Sequence, residues 1–572
     1  MKPKILVLFS LFLTLGAARG WADTFDPDES DMDNQARAYW HYACGLAAQR
    51  TNDVDRSMVE FEQAARYDPQ SAAVHNQLAY HYYQAGLNYK SEEELRKSIA
   101  LDPANIDNRL LLANLFGSQS EYLKAQDEYN EILKIDPKNL EARYYLAGIL
   151  AAQNRYDDAL DKYEEILKDN PKAAGIYYNM GLLYTRMNQA GEAEAAFQKA
   201  IELDPTLETA YSSLGMVYEL DQKPDKAIEA YLALAKVNPK NAQAYESLGE
   251  LYYNQKDDPQ ALEAFKTYST LQPDDVSIED YIGVCSYRMK DYPNAIVAFQ
   301  KLLDQQPDNA LVRYRLAAAY EEAGQEDQSE AQLQAILKKD PKSTDAWVRL
   351  VMLYDKEKKD DQTEAAITAG LKANPDCGDL VLLQAIVANE KGDLAGAETG
   401  YRKAIQLDPK DSQAYFNLGA LLDKEGKFDE AMDQMKKVID LQPDNAEAFN
   451  YIGYSYADKG RNLDEAQKDI EQALKLDPNN AYYLDSLGWV FYQKNRYSDA
   501  KQKFETAIQQ LQSLNVTQTK DDGIIYAHLA HTLLKMGDKP DAKLQLQKAL
   551  QLDPDNKDFQ NDLQKLSSAD SL

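Results

Sequence analysis

The stretch 174-AGIYYNMGLLYTRMNQAGEAEAAFQKAIELDPTL-207 decides the fold. Tyr177, Met180 and Tyr184 follow i, i+3, i+4 helical spacing beside a small residue, Gly181. After a polar interval, Ala193, Phe197 and Ala200 do the same, and Pro205 ends the segment. The proline is one of a series at 69, 103, 137, 171, 205, 239, 273, 307, 341, 375, 409 and 443, every step 34 residues, followed by Pro478 and Pro554. A fixed period of this length marks a stacked helix–turn–helix repeat.

With the proline as position 32, fifteen units align. Position 8 is Gly or Ala everywhere except Val351, and position 20 is Ala except at Ser57, Ser91, Ser329 and Thr363. Position 24 is usually aromatic, as in Phe61, Tyr163, Phe197, Tyr231 and Phe504. Two helices joined by a short turn approach closely only where a side chain is small, so positions 8 and 20 predict the crossing. Positions 4, 7 and 11 predict one apolar stripe on the first helix (A), and 24 and 27 one on the second (B). The proline stops helix B, and Asp or Asn just after it, as in 443-PDNAE-447, predicts a cap for the next helix A. Pro224, Pro259, Pro293 and Pro540 fall at positions 17 or 18, where helix B begins and no N–H is needed.

These residues resemble the tetratricopeptide repeat family over residues 38–554. The resemblance implies an all-α, right-handed superhelical α-solenoid of about fifteen 34-residue helix-turn-helix units. It further implies a C-terminal capping helix within 555–572 and a concave groove that receives a peptide or protein. Repeats 1–14 would occupy 38–512, a linker insertion 513–522, and repeat 15 residues 523–554. The groove stripe of the family is positions 2, 5, 9 and 12 of helix A. Here it carries Tyr39, Tyr42, Tyr80, Tyr83, Tyr144, Tyr178, Tyr253, Tyr287, Tyr314, Phe416, Tyr454, Tyr482, Trp489 and Tyr492. Tyr and Trp bury area while keeping a hydrogen-bonding tip, which suits recognition, although the same rings can simply pad neighbouring helices. The cluster Tyr454, Tyr482, Trp489 and Tyr492 is the foremost contact candidate.

Composition narrows the function. A net charge of −31 disfavours nucleic acid and anionic lipid, both of which need clustered Lys and Arg. Lys2 and Lys4 before the apolar run Ile5–Leu15, then Gly20-Trp21-Ala22, follow the pattern of a secretory signal peptide cleaved near Ala22. Export to a periplasm or medium is therefore expected, with residues 23–37 as an acidic disordered leader and no integral membrane segment in the mature chain. No Cys near the cleavage site offers a lipid-attachment thiol, and Cys44, Cys285 and Cys377 predict no disulfide framework.

Catalytic motifs for nucleophilic, phosphate or zinc chemistry are not found, so no enzyme activity, cofactor or metal is expected. His528 and His531 stand at i, i+3 with no third metal ligand nearby, and a polar groove contact is the reading. The carboxylate clamp by which some tetratricopeptide proteins hold a chain terminus needs Lys at position 5 and Asn at 9, a pair that no unit has. Residues 449-FNYIGYSYADKGRNLDEA-466 and 484-LDSLGWVFY-492 resemble the C-terminal repeats of bacterial cell-envelope tetratricopeptide proteins. That resemblance implies a scaffold or adaptor in assembly or proteolytic control. Alternatives are a part of a pilus or polysaccharide export apparatus, the regulatory arm of a glycosyltransferase-type enzyme, or an architectural spacer. One irregularity stands out. Tyr456 and Ala466 are ten residues apart where Leu422 and Ala431 are nine, which puts an extra residue in the turn around 458–464.

Overall fold

A computed structural model describes residues 32–513 and 518–569. The signal segment, the acidic stretch 23–31 and residues 514–517 of the linker insertion lie outside the described residues. Among those described, fifteen A/B helix pairs are followed by one terminal helix, Lys557–Ala569. Helix A occupies positions 1–13 and helix B positions 17–30 in nearly every repeat, as in Ala174–Arg186 and Ala190–Leu203. The first helix begins early, at Asn34 behind the capping carboxylate of Asp33, so residues 34–37, expected in the leader, are its first turn. In repeat 14 helix B runs on to Ser513, so the insertion starts as a continuation of a helix. The helices form two compact units, residues 1–289 and 290–572.

Within each unit the close approach predicted at position 8 is made against position 24. A Cβ on Gly181 would lie 2.6 Å from Phe197 Cε1, and one on Gly488 2.6 Å from Phe504 Cε1. The same holds for Gly45 against Phe61 and Gly249 against Phe265. Where position 24 is Leu (Leu95, Leu333 and Leu546), position 8 is Ala (Ala79, Ala317 and Ala530). The match is strict for Phe, which faces Gly wherever it fills position 24, and Phe61, Phe197, Phe265 and Phe504 are all fully buried. Tyr129, Tyr163 and Tyr401 are buried opposite Ala113, Ala147 and Ala385. Position 20 closes the same crossing from the backbone side: Ser57 Oγ donates to the Gly45 carbonyl at 3.0 Å, and Ser91 Oγ to that of Ala79 at 2.8 Å.

The expected apolar stripe needs a correction at position 4. In several repeats this residue is a donor that ties helix A to the carbonyl of the preceding proline. Arg109 Nε reaches Pro103 O at 3.2 Å, Arg313 Nε reaches Pro307 O at 3.2 Å, and Trp347 Nε1 reaches Pro341 O at 2.9 Å. The same side chain pairs with position 23 of its own helix B: His41 with Glu60 at 2.7 Å, Arg109 with Glu128 at 2.7 Å, and Arg313 with Gln332 at 2.8 Å. The proline that ends one hairpin therefore supplies an acceptor that orients the next. The cap prediction is narrowed too. It is the second residue after the proline that accepts, as Asn445 does from Ala448 N at 2.9 Å and Asn139 from Ala142 N at 2.9 Å.

Each A-to-B turn has its position 15 in the left-handed region. Gly fills it six times (Gly86, Gly324, Gly392, Gly426, Gly460, Gly537), and residues such as Asn154 (φ 60°) and Lys256 (φ 62°) fill the rest. The following N–H bonds back to the carbonyl five residues earlier, as in Arg155 N to Leu150 O at 2.9 Å, which is a Schellman closure. The irregular turn of repeat 13 keeps this closure, with Arg461 N to Tyr456 O at 2.9 Å, and adds its extra residue after it. That residue is Asn462, itself left-handed at φ 45° and the N-cap of Leu463–Leu476. Arg461 swings over the Phe428 ring at 5.6 Å. Both packing landmarks of the repeat survive: a Cβ on Gly453 would meet Ile470 Cγ1 at 2.5 Å and the Ala466 carbonyl at 2.8 Å.

Two outcomes follow from this packing. Gly181→Ala should destabilise repeat 5 by about 1–3 kcal/mol, because its Cβ must displace a buried ring. Adding Phe197→Leu should recover part of that loss, the non-additivity being read by urea unfolding and by amide exchange across repeat 5. The second concerns Asp469, which holds position 23 of repeat 13, where position 4 is Phe449 and offers no donor. Burial, then Glu465, push its carboxyl up to about 6 against the attraction of Lys436 and Lys468. A folded-state pKa above the unfolded value makes stability fall as pH rises from about 4 to 6. Asp469→Asn should therefore raise the denaturation midpoint at pH 7, by roughly 1 kcal/mol for a partly exposed group, and leave it unchanged at pH 4.

Candidate functional site

Helices A of successive repeats touch one another in both units, as Ala446–Asp458 does with Ala481–Gln493 and that helix with Gly523–Lys535, while helices B make no comparable mutual contact. Helices A therefore lie together along one side of each stack, and positions 2, 5, 9 and 12 share one stripe of each such helix by their spacing. The tyrosines are placed by helical spacing, and their environments fall into two groups.

Most are engaged in packing. In the first unit Tyr42 tilts against Phe61 at 5.6 Å and Tyr178 against Phe197 at 5.7 Å, both covering the ring that fills position 24. Tyr83 packs partly buried against the core around Leu95 and Leu112, and Tyr287 is half-buried. Tyr253 meets Tyr281 edge-on at 5.0 Å and is covered by the Arg288 guanidinium at 4.6 Å. In the second unit Tyr314 lies under Arg349 at 5.3 Å, and Phe416 meets Tyr451 edge-on at 5.8 Å. Tyr39 (57%), Tyr80 (38%), Tyr144 (42%) and Tyr482 (46%) keep more than a third of their surface in solvent.

The C-terminal aromatic cluster is more internal than its composition suggests. Trp489 is sandwiched between Tyr492 (4.8 Å, 5°) and His528 (4.2 Å, 22°). His528 also tilts against Phe504 at 5.7 Å and bonds both oxygens of the buried Asp485 through Nδ1 at 3.0 Å. Tyr454 is half-buried, its hydroxyl pushed up to about 12 by burial and then by Asp485 and Asp458. Tyr482 stands apart from the sandwich and donates to Asp522 Oδ1 at 2.9 Å. Asp522 in turn closes a capping box with Thr519 at the end of the insertion. Repeat 15 is thus joined to helix A of repeat 14 by two buried carboxylates across the inserted residues.

His528 and His531 do not share a ligand. His531 Nε2 bonds Asp562 of the terminal helix at 2.8 Å, while His528 faces Asp485. The described residues contain no group of three metal-ligating side chains and no helix long and apolar enough to cross a membrane. Counting aromatics alone missed exposed aliphatic side chains on the same stripe: Met216 and Met352 at position 9, and Leu311 at position 2. The signal was in the sequence, since all three break the polar pattern of an outward face.

The same register appears in known proteins. A sequence model described as tetratricopeptide repeat matches residues 42–106, 110–174, 213–276, 361–412 and 452–514, more than half of the chain. Further tetratricopeptide models match 174–207, 287–343, 401–433 and 524–556. No curated protein sequence matches the chain. Solved structures similar to it include the APC/C hetero-tetramer Cut9–Hcn1, at 15% identity over 85% of this chain and 95% of that one with a TM-score of 0.38. Another is the C-terminal part of a TPR repeat-containing protein from Cytophaga hutchinsonii, at 16% identity over 42% and 99% with a TM-score of 0.38. A third is pilF of Pseudomonas aeruginosa, at 23% identity over 37% and 96% with a TM-score of 0.29. The assignment rests on the sequence models rather than on these superpositions: with their matches running through both units on the 34-residue register of the helix pairs, the chain belongs to the tetratricopeptide repeat family.

Proposed function

We propose that this chain is an exported, non-catalytic scaffold that holds a partner protein segment along its helix-A face and serves assembly or proteolytic control in a bacterial cell envelope. The observation that carries the binding role is the exposed apolar series on that face. Tyr39, Tyr80, Tyr144, Met216, Leu311, Met352 and Tyr482 recur on the stripe while their neighbours Tyr42, Tyr178 and Trp489 are spent on packing. Exposed anchors with a hydrogen-bonding tip or a flexible thioether are suited to an irregular partner surface. Export rests on the charged and apolar grammar of residues 2–22, and the envelope setting on the resemblance of 449–492.

Because Trp489 is stacked on Tyr492 and on His528 of repeat 15, and Tyr454 is half-buried, binding is better tested at the exposed anchors. A variant combining Tyr80→Ala, Tyr144→Ala, Leu311→Ala and Met352→Ala should keep the wild-type melting profile and capture its envelope partner at least about tenfold less in affinity purification. Equal capture by wild type and variant would sink the binding reading. N-terminal sequencing of the periplasmic form should begin at Asp23, and retention of Met1 in a cytoplasmic fraction would refute export.

A further inference from the structure

Resting on the binding role just described, the geometry points to one receptor of side-chain size: a cleft of repeats 4 and 5 that takes a basic side chain from an apolar, extended partner segment. The cleft, about 370 Å³, is lined by Leu140, Glu141, Tyr144, Tyr145, Ile166 and Ile176. Leu140, Tyr144 and Tyr145 are exposed large apolar residues on one face of Leu140–Ala152. Glu141 lies one turn before the two tyrosines and makes no ion pair among the described residues. The cations nearest to it in sequence are committed elsewhere. Arg143 bonds Asp169 at 2.9 Å and the Pro137 carbonyl at 3.0 Å, and Lys138 lies 3.6 Å from Asp169. An apolar, aromatic cleft is left with a carboxylate and no counter-charge.

The chain itself shows what fills such an arrangement. Tyr314 holds position 5 of repeat 9, as Tyr144 holds position 5 of repeat 4. The guanidinium of Arg349, from position 6 of the next repeat, covers Tyr314 at 5.3 Å and is held by Glu321 at 2.9 Å. In repeat 5 position 6 is Asn179, which reaches only the Tyr144 hydroxyl, at 3.3 Å, and brings no charge. Glu321 stands two turns after Tyr314 whereas Glu141 stands one turn before Tyr144, so the precedent is the pairing of ring and carboxylate about one cation and not its placement. An incoming arginine or lysine would stack on Tyr144 and pair with Glu141, while flanking apolar residues meet Leu140 and Ile176. The net charge of −31 favours the approach of such a segment and opposes an acidic one.

The test uses the full mature chain and three labelled Ser/Gly-rich nonapeptides with a central Leu-Arg-Leu, Leu-Gln-Leu or Leu-Glu-Leu, read by fluorescence anisotropy at two salt concentrations. The Arg peptide should bind at least about tenfold tighter than either twin, with the gap narrowing at high salt. Glu141→Gln and Tyr144→Ala should each weaken it about five- to tenfold, and Val297→Ala, at an exposed position on helix B of repeat 8, should leave it unchanged. The inference is overturned if the Gln peptide binds as well, if Glu141→Gln is without effect, or if no Arg-peptide binding is seen at millimolar concentration. Such a result alongside undiminished capture of the envelope partner would remove this receptor and leave the scaffold standing. Loss of the scaffold reading would instead show as equal partner capture by the four-anchor variant.

Discussion

The contact between position 8 of one helix and position 24 of the next is the constraint from which the rest of each stack follows. Every Phe at 24 faces Gly, as Phe197 does Gly181 and Phe504 does Gly488, while the buried Tyr129 and Tyr401 stand opposite Ala113 and Ala385. That contact sets how near the helices lie. Nearness allows the hydroxyls of Ser57 and Ser91 to reach the carbonyls across the crossing. It also aims the rings of Tyr42 and Tyr178 onto the buried Phe. Surface ion pairs between repeats, such as Lys427 with Glu398 at 2.7 Å, decorate this arrangement and contribute little by comparison.

Proline spacing and small residues made the helix pairs legible, because steric limits at positions 8, 20 and 32 admit few residue types. Other features resisted because one residue type can answer two demands. Arg at position 4 reads as an interruption of an apolar stripe until the proline carbonyl it grips is in place, as in Arg313. Tyr144 and Tyr178 hold the same position of adjacent repeats and both tilt against the ring at position 24, yet Tyr144 keeps 42% of its surface in solvent and Tyr178 is half-buried. Trp489 was legible as an aromatic on the binding stripe but not as the middle of a sandwich, since His528 comes from beyond an insertion.

The irregular turn of repeat 13 can be placed physically. Its extra residue follows a complete Schellman closure, so neither helix is shifted against the other, and the accommodation is one left-handed Asn and a displaced Arg461. A longer insertion before repeat 15 is handled differently. There the chain is re-anchored by Asp522 against Tyr482 and by Asp485 against His528, so that polar groups do the alignment that a constant turn length does elsewhere.

Because every Phe at position 24 is matched by a Gly at position 8 of its own hairpin, the two helices of such a repeat form a single heritable parcel. A recombination joint placed at the turn would set Ala147 against Phe197, a pairing that no repeat of this chain contains. A joint placed at the proline leaves every such match intact. Arrays of this kind can therefore lengthen or shorten by whole hairpins, and the even march of prolines from 69 to 443 is the trace such a history would leave.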